Sequence, residues 1–247
     1  MSSKFSEFPC PALHLWKTIN LIESPINVMT CETVKQVHAL MKARQVVFWD
    51  FDGVIKDSVM VKSAGYEKLF LPFGEDVVKR VNKHHNTHGG ISRFEKIPLY
   101  LSWAGEPANP NQVQKFCDRF SKLVQQAVID SPWVPGVCEY LSSHYVDQCF
   151  ILITGTPQKE IEKILHALNI TRYFRNVYGA PKAKTIMVKD VLERLGCPSE
   201  QALVIGDSGT DLEAAENNNV AFLLRCTSLN QKLQKQFAGP SFKSLSL

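Results

Sequence analysis

The apolar positions of this chain repeat with two different rhythms. Gln45 to Trp49, Cys149 to Gly155 (CFILITG), Ala202 to Asp207 (ALVIGD) and Val220 to Leu224 (VAFLL) are short, nearly unbroken apolar runs. Such runs read as strands covered on both faces, as in a parallel sheet. Asn176 to Tyr178 is a shorter segment of the same kind. Between them the apolar residues fall at helical spacing, over Val137 to His144, Lys159 to Leu168, Thr185 to Leu195 and Thr210 to Asn217. Strands alternating with helices predict an α/β fold, a doubly wound parallel sheet. Residues 58–131 follow another pattern, with four helical stretches (Ala64 to Phe70, Asp76 to Lys83, Ile91 to Trp103, Gln112 to Ile129) and no convincing strand. Gly74, Gly89-Gly90 and the segment 105–111 punctuate them. The expected division is an α/β core over 45–57 and 132–247, with an all-helical cap inserted over 58–131. Residues 1–44 are expected to be an extension with one helix, Thr33 to Arg44, before the first core strand.

Composition narrows the class. The chain has 247 residues, 45% hydrophobic and 21% charged, which suits a soluble protein with one sizeable core. No run of about 18 apolar residues predicts a membrane span. The first residues lack the basic start and apolar segment of a secretory signal. Seven cysteines without a CxxC pair read as scattered reduced thiols, so a cytoplasmic location is expected. The net charge of +4 comes with no dense basic cluster, so nucleic acid is not an expected partner, nor is a membrane. The charge suits a small anionic metabolite.

Chemistry enters at the strand ends. Asp50 and Asp52 follow the first strand, and in extended chain residues i and i+2 share a face. Two unit charges about 4 Å apart interact by roughly 4 kcal/mol at an effective dielectric of ~20, so something must offset the repulsion. The second strand ends in Thr154-Gly155-Thr156 and the fourth in Asp207-Ser208-Gly209-Thr210-Asp211. Ligands in such sheets bind beyond the carboxyl ends of the strands. Carboxylates converging there without histidine or cysteine suit a hard cation, Mg²⁺. A hydroxyl, backbone N–H groups and Lys182 or Lys184 complete a set fit for phosphoryl transfer.

These residues resemble the haloacid dehalogenase superfamily in its phosphatase branch. The motifs stand in order: Asp50-Phe51-Asp52-Gly53-Val54, then Thr154 after ILIT, then a lysine before a helix in GAPKAK, then Gly206-Asp207-Ser208-Gly209-Thr210-Asp211. The resemblance spans roughly residues 45–225. It implies Asp50 as nucleophile and metal ligand, and Asp52 as general acid/base with its backbone carbonyl on the metal. Thr154 and the Gly155 N–H would hold the phosphoryl group. Asp207 would be a metal ligand, with Asp211 binding through water or orienting Asp207. Lys184 is the preferred phosphate lysine and Lys182 the alternative. The inserted helices resemble the family's small helical cap, and the segment 89–96 resembles that of phosphoglycolate-phosphatase-like members. The expected function is Mg²⁺-dependent hydrolysis of a small phosphomonoester, a sugar phosphate or phosphoglycolate-like acid, through an aspartyl-phosphate. A phosphomutase of the same fold and a catalytically silent binding module are the alternatives.

Plainer readings apply to several residues. Asp57-Ser58 is expected to cap the first cap helix. His84, His85 and His88 are expected on a solvated helix end. Arg93 reads equally as a substrate ligand or a surface salt-bridge partner. Trp49 reads as core. Nothing marks Lys62 or Lys68 as buried, which argues against a Schiff-base lysine in the cap.

Overall fold

The computed structural model describes residues 33–247, so most of the expected N-terminal extension lies outside the described residues. Six parallel strands form one sheet in the order β3-β2-β1-β4-β5-β6. They are β1 (Val46–Trp49), β2 (Cys149–Pro157), β3 (Asn176–Ala180), β4 (Ala202–Gly206), β5 (Ala221–Arg225) and β6 (Ser241–Phe242). β1 lies between β2 and β4, with Trp49 in register with Leu152 on one side and Ile205 on the other. That register brings Asp50, Thr154 and Asp207 out at the same edge.

The strand runs are apolar throughout because both faces are covered. Val47, Trp49, Leu152, Leu203 and Ile205 belong to one cluster. It takes in α1 (Val34–Lys42) through Val37 and Met41, α6 (Val137–His144) and α7 (Gln158–Ala167). Val46, Phe48, Ile151, Ile153 and Val204 turn to the opposite face. There they meet Met187, Val188 and Val191 of α8 (Lys184–Leu195) and Ala214 and Ala215 of α9 (Gly209–Glu216). The fold is therefore a doubly wound α/β sheet. α10 (Gln231–Gln236) and β6 were not expected from the sequence: α10 buries no residue and β6 is two residues long, so neither carries a periodic signal.

Between β1 and α6 the chain forms α2 (Val59–Phe70), α3 (Glu75–Thr87), α4 (Arg93–Trp103) and α5 (Pro110–Asp130). α5 opens on an Asn109 cap that accepts from the Gln112 N–H, with Pro110 in the first turn. It buries Phe116, Phe120, Val124 and Val128 at helical spacing. Tyr66 of α2 stacks on Phe120 with ring centroids 4.1 Å apart. The two chains that enter and leave these helices run side by side, with the Asp57 N–H on Pro132 O at 2.8 Å and the Val134 N–H on Ile55 O at 3.0 Å. α3 runs four residues beyond its predicted end, because Val78, Val81 and His85 continue one buried face.

Candidate active site

Asp50 is buried directly after β1, its N–H bonded to Ile205 O of β4 at 3.0 Å. One carboxylate oxygen accepts from the Phe51 N–H at 2.7 Å, and the other faces Lys184 Nζ at 2.9 Å. Lys184 opens α8 and also bonds Asp211 at 2.6 Å. Lys182 points away, exposed and paired with Asp190, so Lys184 is the lysine in the site. Asp211 is fully buried, and its second oxygen takes the Ser208 N–H and hydroxyl in a capping box that starts α9. No described residue donates to the Asp207 carboxylate. Gly53 sits at φ +82°, and a Cβ there would lie 2.1 Å from Asp207 Oδ2. Only glycine allows that turn.

Asp50, Asp207 and Asp211 each offer a carboxylate oxygen within 4.8 Å of the others. Burial, then the charge of Asp211, push Asp50 up to about 7 against the pull of Lys184. Burial and the charges of Asp50 and Asp211 hold Asp207 well above the usual carboxylate range. Lys184 stays firmly charged, because Asp211 and Asp50 outweigh its own burial. An all-oxygen cluster with one free carboxylate and more negative charge than one ammonium can neutralise fits a hard cation such as Mg²⁺.

Asp52 is not one of those three carboxylates. Its oxygens take Ser58 Oγ at 2.7 Å, Thr156 Oγ1 at 3.1 Å and the ammonium of Lys62. Burial alone would raise its pKa; Lys62, Ser58 and Thr156 outweigh this and lower it. The repulsion posed by the paired aspartates is thus divided between two lysines, one for each carboxylate.

Three expectations are corrected here. Ser58 stands at the N-cap of α2 without capping it, because its hydroxyl goes to Asp52 instead. Asp57 pairs with Arg225 at 3.4 Å. Lys62, read as unmarked, is half-buried in the cleft and bonds Asp52 and Thr156. Its place one helical turn after Ser58 was the available signal. His85, read as solvated, is buried: its ring lies 4.8 Å from that of Tyr66, and its Nδ1 meets Lys96 Nζ at 3.0 Å. Burial and the nearby lysines push His85 down to about 2. His88 is exposed, as expected.

Arg93 is buried, and both its terminal nitrogens reach Glu160 of α7, at 2.8 and 2.7 Å. It lines the cleft, but its guanidinium is already committed across the helical layer to the sheet layer. Thr154 is buried and accepts the Thr156 N–H at 3.2 Å, leaving its own hydroxyl hydrogen to donate. Gly155 lies under the turn before α4, where a Cβ would meet Gly90 O at 2.7 Å. Asp50, Asp52, Thr154, Gly155, Lys184 and Asp207 line one cleft with Lys62, Tyr66, His85 and Lys96 of the helices.

The family profile of the haloacid dehalogenase-like hydrolases matches residues 47–224. The chain belongs to the haloacid dehalogenase-like hydrolase family. Its relatives place it with the phosphatases of that family. A phosphorylated carbohydrates phosphatase of Thermotoga maritima is 22% identical over 184 residues, covering 71% of this chain and 82% of that protein. A phosphoglycolate phosphatase of Vibrio cholerae is 24% identical over 187 residues, covering 72% of this chain and 82% of its own length. The crystal structure of CbbY from Rhodobacter sphaeroides, in complex with xylulose-1,5-bisphosphate, superposes with a TM-score of 0.64 at 16% identity. It covers 82% of this chain and 95% of that one. Among the described residues, no helix is long and apolar enough to cross a membrane.

Proposed function

We propose that this haloacid dehalogenase-like phosphatase is a Mg²⁺-dependent hydrolase of a small phosphomonoester, working through an aspartyl-phosphate on Asp50. The observation that carries the reading is the meeting of Asp50 with Lys184 and the free Asp207 carboxylate in the cleft that Asp52 also lines. The relatives named for phosphorylated carbohydrates and phosphoglycolate support a small phosphorylated metabolite, a sugar phosphate or phosphoglycolate-like acid. Asp50, the Asp52 backbone carbonyl and Asp207 would hold Mg²⁺, with Asp211 held by Ser208 as a positioning residue. When bound, Mg²⁺ supplies the positive charge that keeps the clustered carboxylates ionised and offsets charge on the phosphoryl oxygens.

Asp50 attacks phosphorus in line and the bond to the substrate oxygen breaks, leaving the phosphoryl group on Asp50. Thr154 Oγ–H, the Gly155 N–H and the Lys184 ammonium meet the phosphoryl oxygens. Asp52 gives its proton to the departing alkoxide, then takes one from the water that hydrolyses the aspartyl-phosphate. With Lys62 against it, Asp52 is held as the carboxylate, the form needed in the second half-reaction. Movement of Lys62 away from Asp52 raises its pKa and favours the acid form needed in the first. The inserted helices, residues 58–131, act as the cap that shuts water from the cleft.

The test is phosphate release from p-nitrophenyl phosphate and a panel of phosphorylated metabolites, with EDTA and with Mg²⁺ restored. Free phosphate appearing only with the metal is the expected result. Turnover by EDTA-stripped protein, or isomerised product without free phosphate, contradicts the reading.

A further inference from the structure

The cations that line the cleft are not all matched. Lys184 pairs with Asp50 and Asp211, Lys62 with Asp52, and Arg93 with Glu160. Lys96 of α4 is as buried as any of them, and among the described residues no carboxylate pairs with it. Its Nζ instead meets His85 Nδ1 at 3.0 Å. A lysine ammonium only donates, so Nδ1 is the acceptor there and the imidazole proton sits on Nε2. That nitrogen is itself buried and has no hydrogen-bond partner. The wall of the cleft therefore presents a buried ammonium whose partner is the neutral His85 Nδ1, with no countercharge among the described residues, beside a buried imidazole N–H that has no acceptor there. Buried donors without acceptors are costly and uncommon in folded chains. Both side chains line the cleft that holds Asp50 and Thr154, with Tyr66, Phe120 and Ile91 as its apolar walls.

We propose that Lys96 and His85 form a receptor for a second anionic group on the substrate, a carboxylate or a second phosphate separate from the phosphoryl group that is cleaved. An oxygen of that anion accepts from Lys96 Nζ, which supplies the missing countercharge, while His85 Nδ1 holds that ammonium in place. Burial, followed by the charge of Lys62, brings Lys96 down to about 7, which fits a site whose cation is complete only with an anion present. The proposal rests on the phosphatase reading and narrows its substrate class to phosphomonoesters with a second negative charge. It makes Lys96 and His85 specificity residues, with no part in the bond-breaking steps.

Two experiments on the full-length protein test it. The first compares kcat/KM for matched substrates with Mg²⁺: 2-phosphoglycolate against ethyl phosphate, 3-phosphoglycerate against glycerol 1-phosphate, and glucose 1,6-bisphosphate against glucose 6-phosphate. At least one doubly anionic member should exceed its counterpart tenfold or more, the scale of one charge-assisted hydrogen bond. In Lys96→Met and in Lys96→Gln that ratio should fall to within about threefold of unity. Which pair responds says whether the receptor takes a carboxylate or a phosphate. No preference in any pair, or a preference that survives in both variants, overturns the proposal.

The second experiment needs no turnover. Calorimetric titration with phosphonoacetate and 3-phosphonopropionate, against ethylphosphonate and propylphosphonate, reads the receptor by itself. Tighter binding of the acids, lost in the Lys96 variants, supports the receptor even if the protein hydrolyses none of the esters. Equal binding of the carboxylated and the simple alkyl phosphonates by the wild type overturns it.

Discussion

The ε-ammonium of Lys184 lies 2.9 Å from the Asp50 carboxylate, although 134 positions separate them in the chain. The meeting follows from topology: Asp50 follows the central strand, and Lys184 opens α8, which packs against β2 and α9 and is anchored by Met187, Val188 and Val191. Lys184 counters the carboxylate cluster, and in the proposed reaction it also meets the phosphoryl oxygens. Lys184→Met is expected to lower kcat by about 10² to 10³, the scale of losing one preorganised donor at developing charge. Lys182→Met, on the exposed neighbour, should change kcat less than twofold. Steady-state assays of the two variants side by side check this assignment, and equal losses would contradict it.

Asp52 and Lys62 give a pH signature. Lys62 lowers the Asp52 pKa, so removing that cation favours the protonated acid. In Lys62→Met the Asp52 pKa should rise, and the basic limb of the kcat/KM profile, where the general acid loses its proton, should move to higher pH. Hydrolysis of the phosphoenzyme needs the carboxylate and should slow. Profiles from pH 5 to 9, with rapid-quench separation of the two half-reactions, measure both. A basic limb that stays in place or moves down would contradict the role given to Lys62.

Gly90 and Gly155 mark where the helices touch the sheet edge. Gly90 holds φ +79°, and a Cβ on it would fall 2.0 Å from Thr210 Oγ1 and 2.4 Å from Ser208 Oγ. Gly90→Ala should wedge the turn before α4 away from the loop that carries Asp207. A fall of about tenfold in kcat/KM, with a melting temperature within a few degrees of wild type, is the expected outcome. An unaffected kcat/KM would mean that close approach at this turn is not needed for turnover.

The residues just discussed show what the sequence made legible and what it hid. Asp50, Thr154 and Asp207 were readable because each follows a run apolar on both faces, and parallel strands place such ends together. Lys184 was separable from Lys182 only in part, since both stand at the start of α8; in the fold Lys184 is buried beside Asp50 and Lys182 is exposed and paired with Asp190. His85 was misread because its neighbours His84 and His88 are polar, although Val78, Val81 and His85 share one helical face. Lys96 escaped notice for the same reason, despite its place with Arg93, Ile97 and Tyr100 on the buried face of α4. Arg93 was identified, but its partner Glu160 lies 67 residues away on another element, beyond the reach of periodicity.

His85 also links stability to acid. Folded, it stays neutral down to about pH 2; unfolded, it takes a proton near 6.5. Between those values the unfolded chain binds more protons, so this residue's contribution to stability falls as pH drops below 6.5. From 6.5 to 5 the loss is about 2 kcal/mol at 1.36 kcal/mol per unit. Lys96 is protonated in both states across that window. Asp50 works in the opposite sense, with its folded pKa raised to about 7, so the test is a difference. Denaturant unfolding of wild type and His85→Asn at pH 6.5 and 5 should show the wild type losing about 2 kcal/mol more than the variant. Parallel behaviour would contradict the buried neutral imidazole.

The central claim is that Asp50 carries the phosphoryl group, and the most direct measurement is the covalent adduct itself. Protein mixed with Mg²⁺ and a turned-over phosphomonoester, quenched in acid within milliseconds, should gain the mass of one phosphoryl group. The group should be stable to acid and lost in base, and peptide mapping should place it on Asp50. Lys62→Met should show more of it, and Asp50→Asn none. A wild-type enzyme that releases phosphate without ever showing this adduct, or an adduct that maps to another residue, would contradict the account.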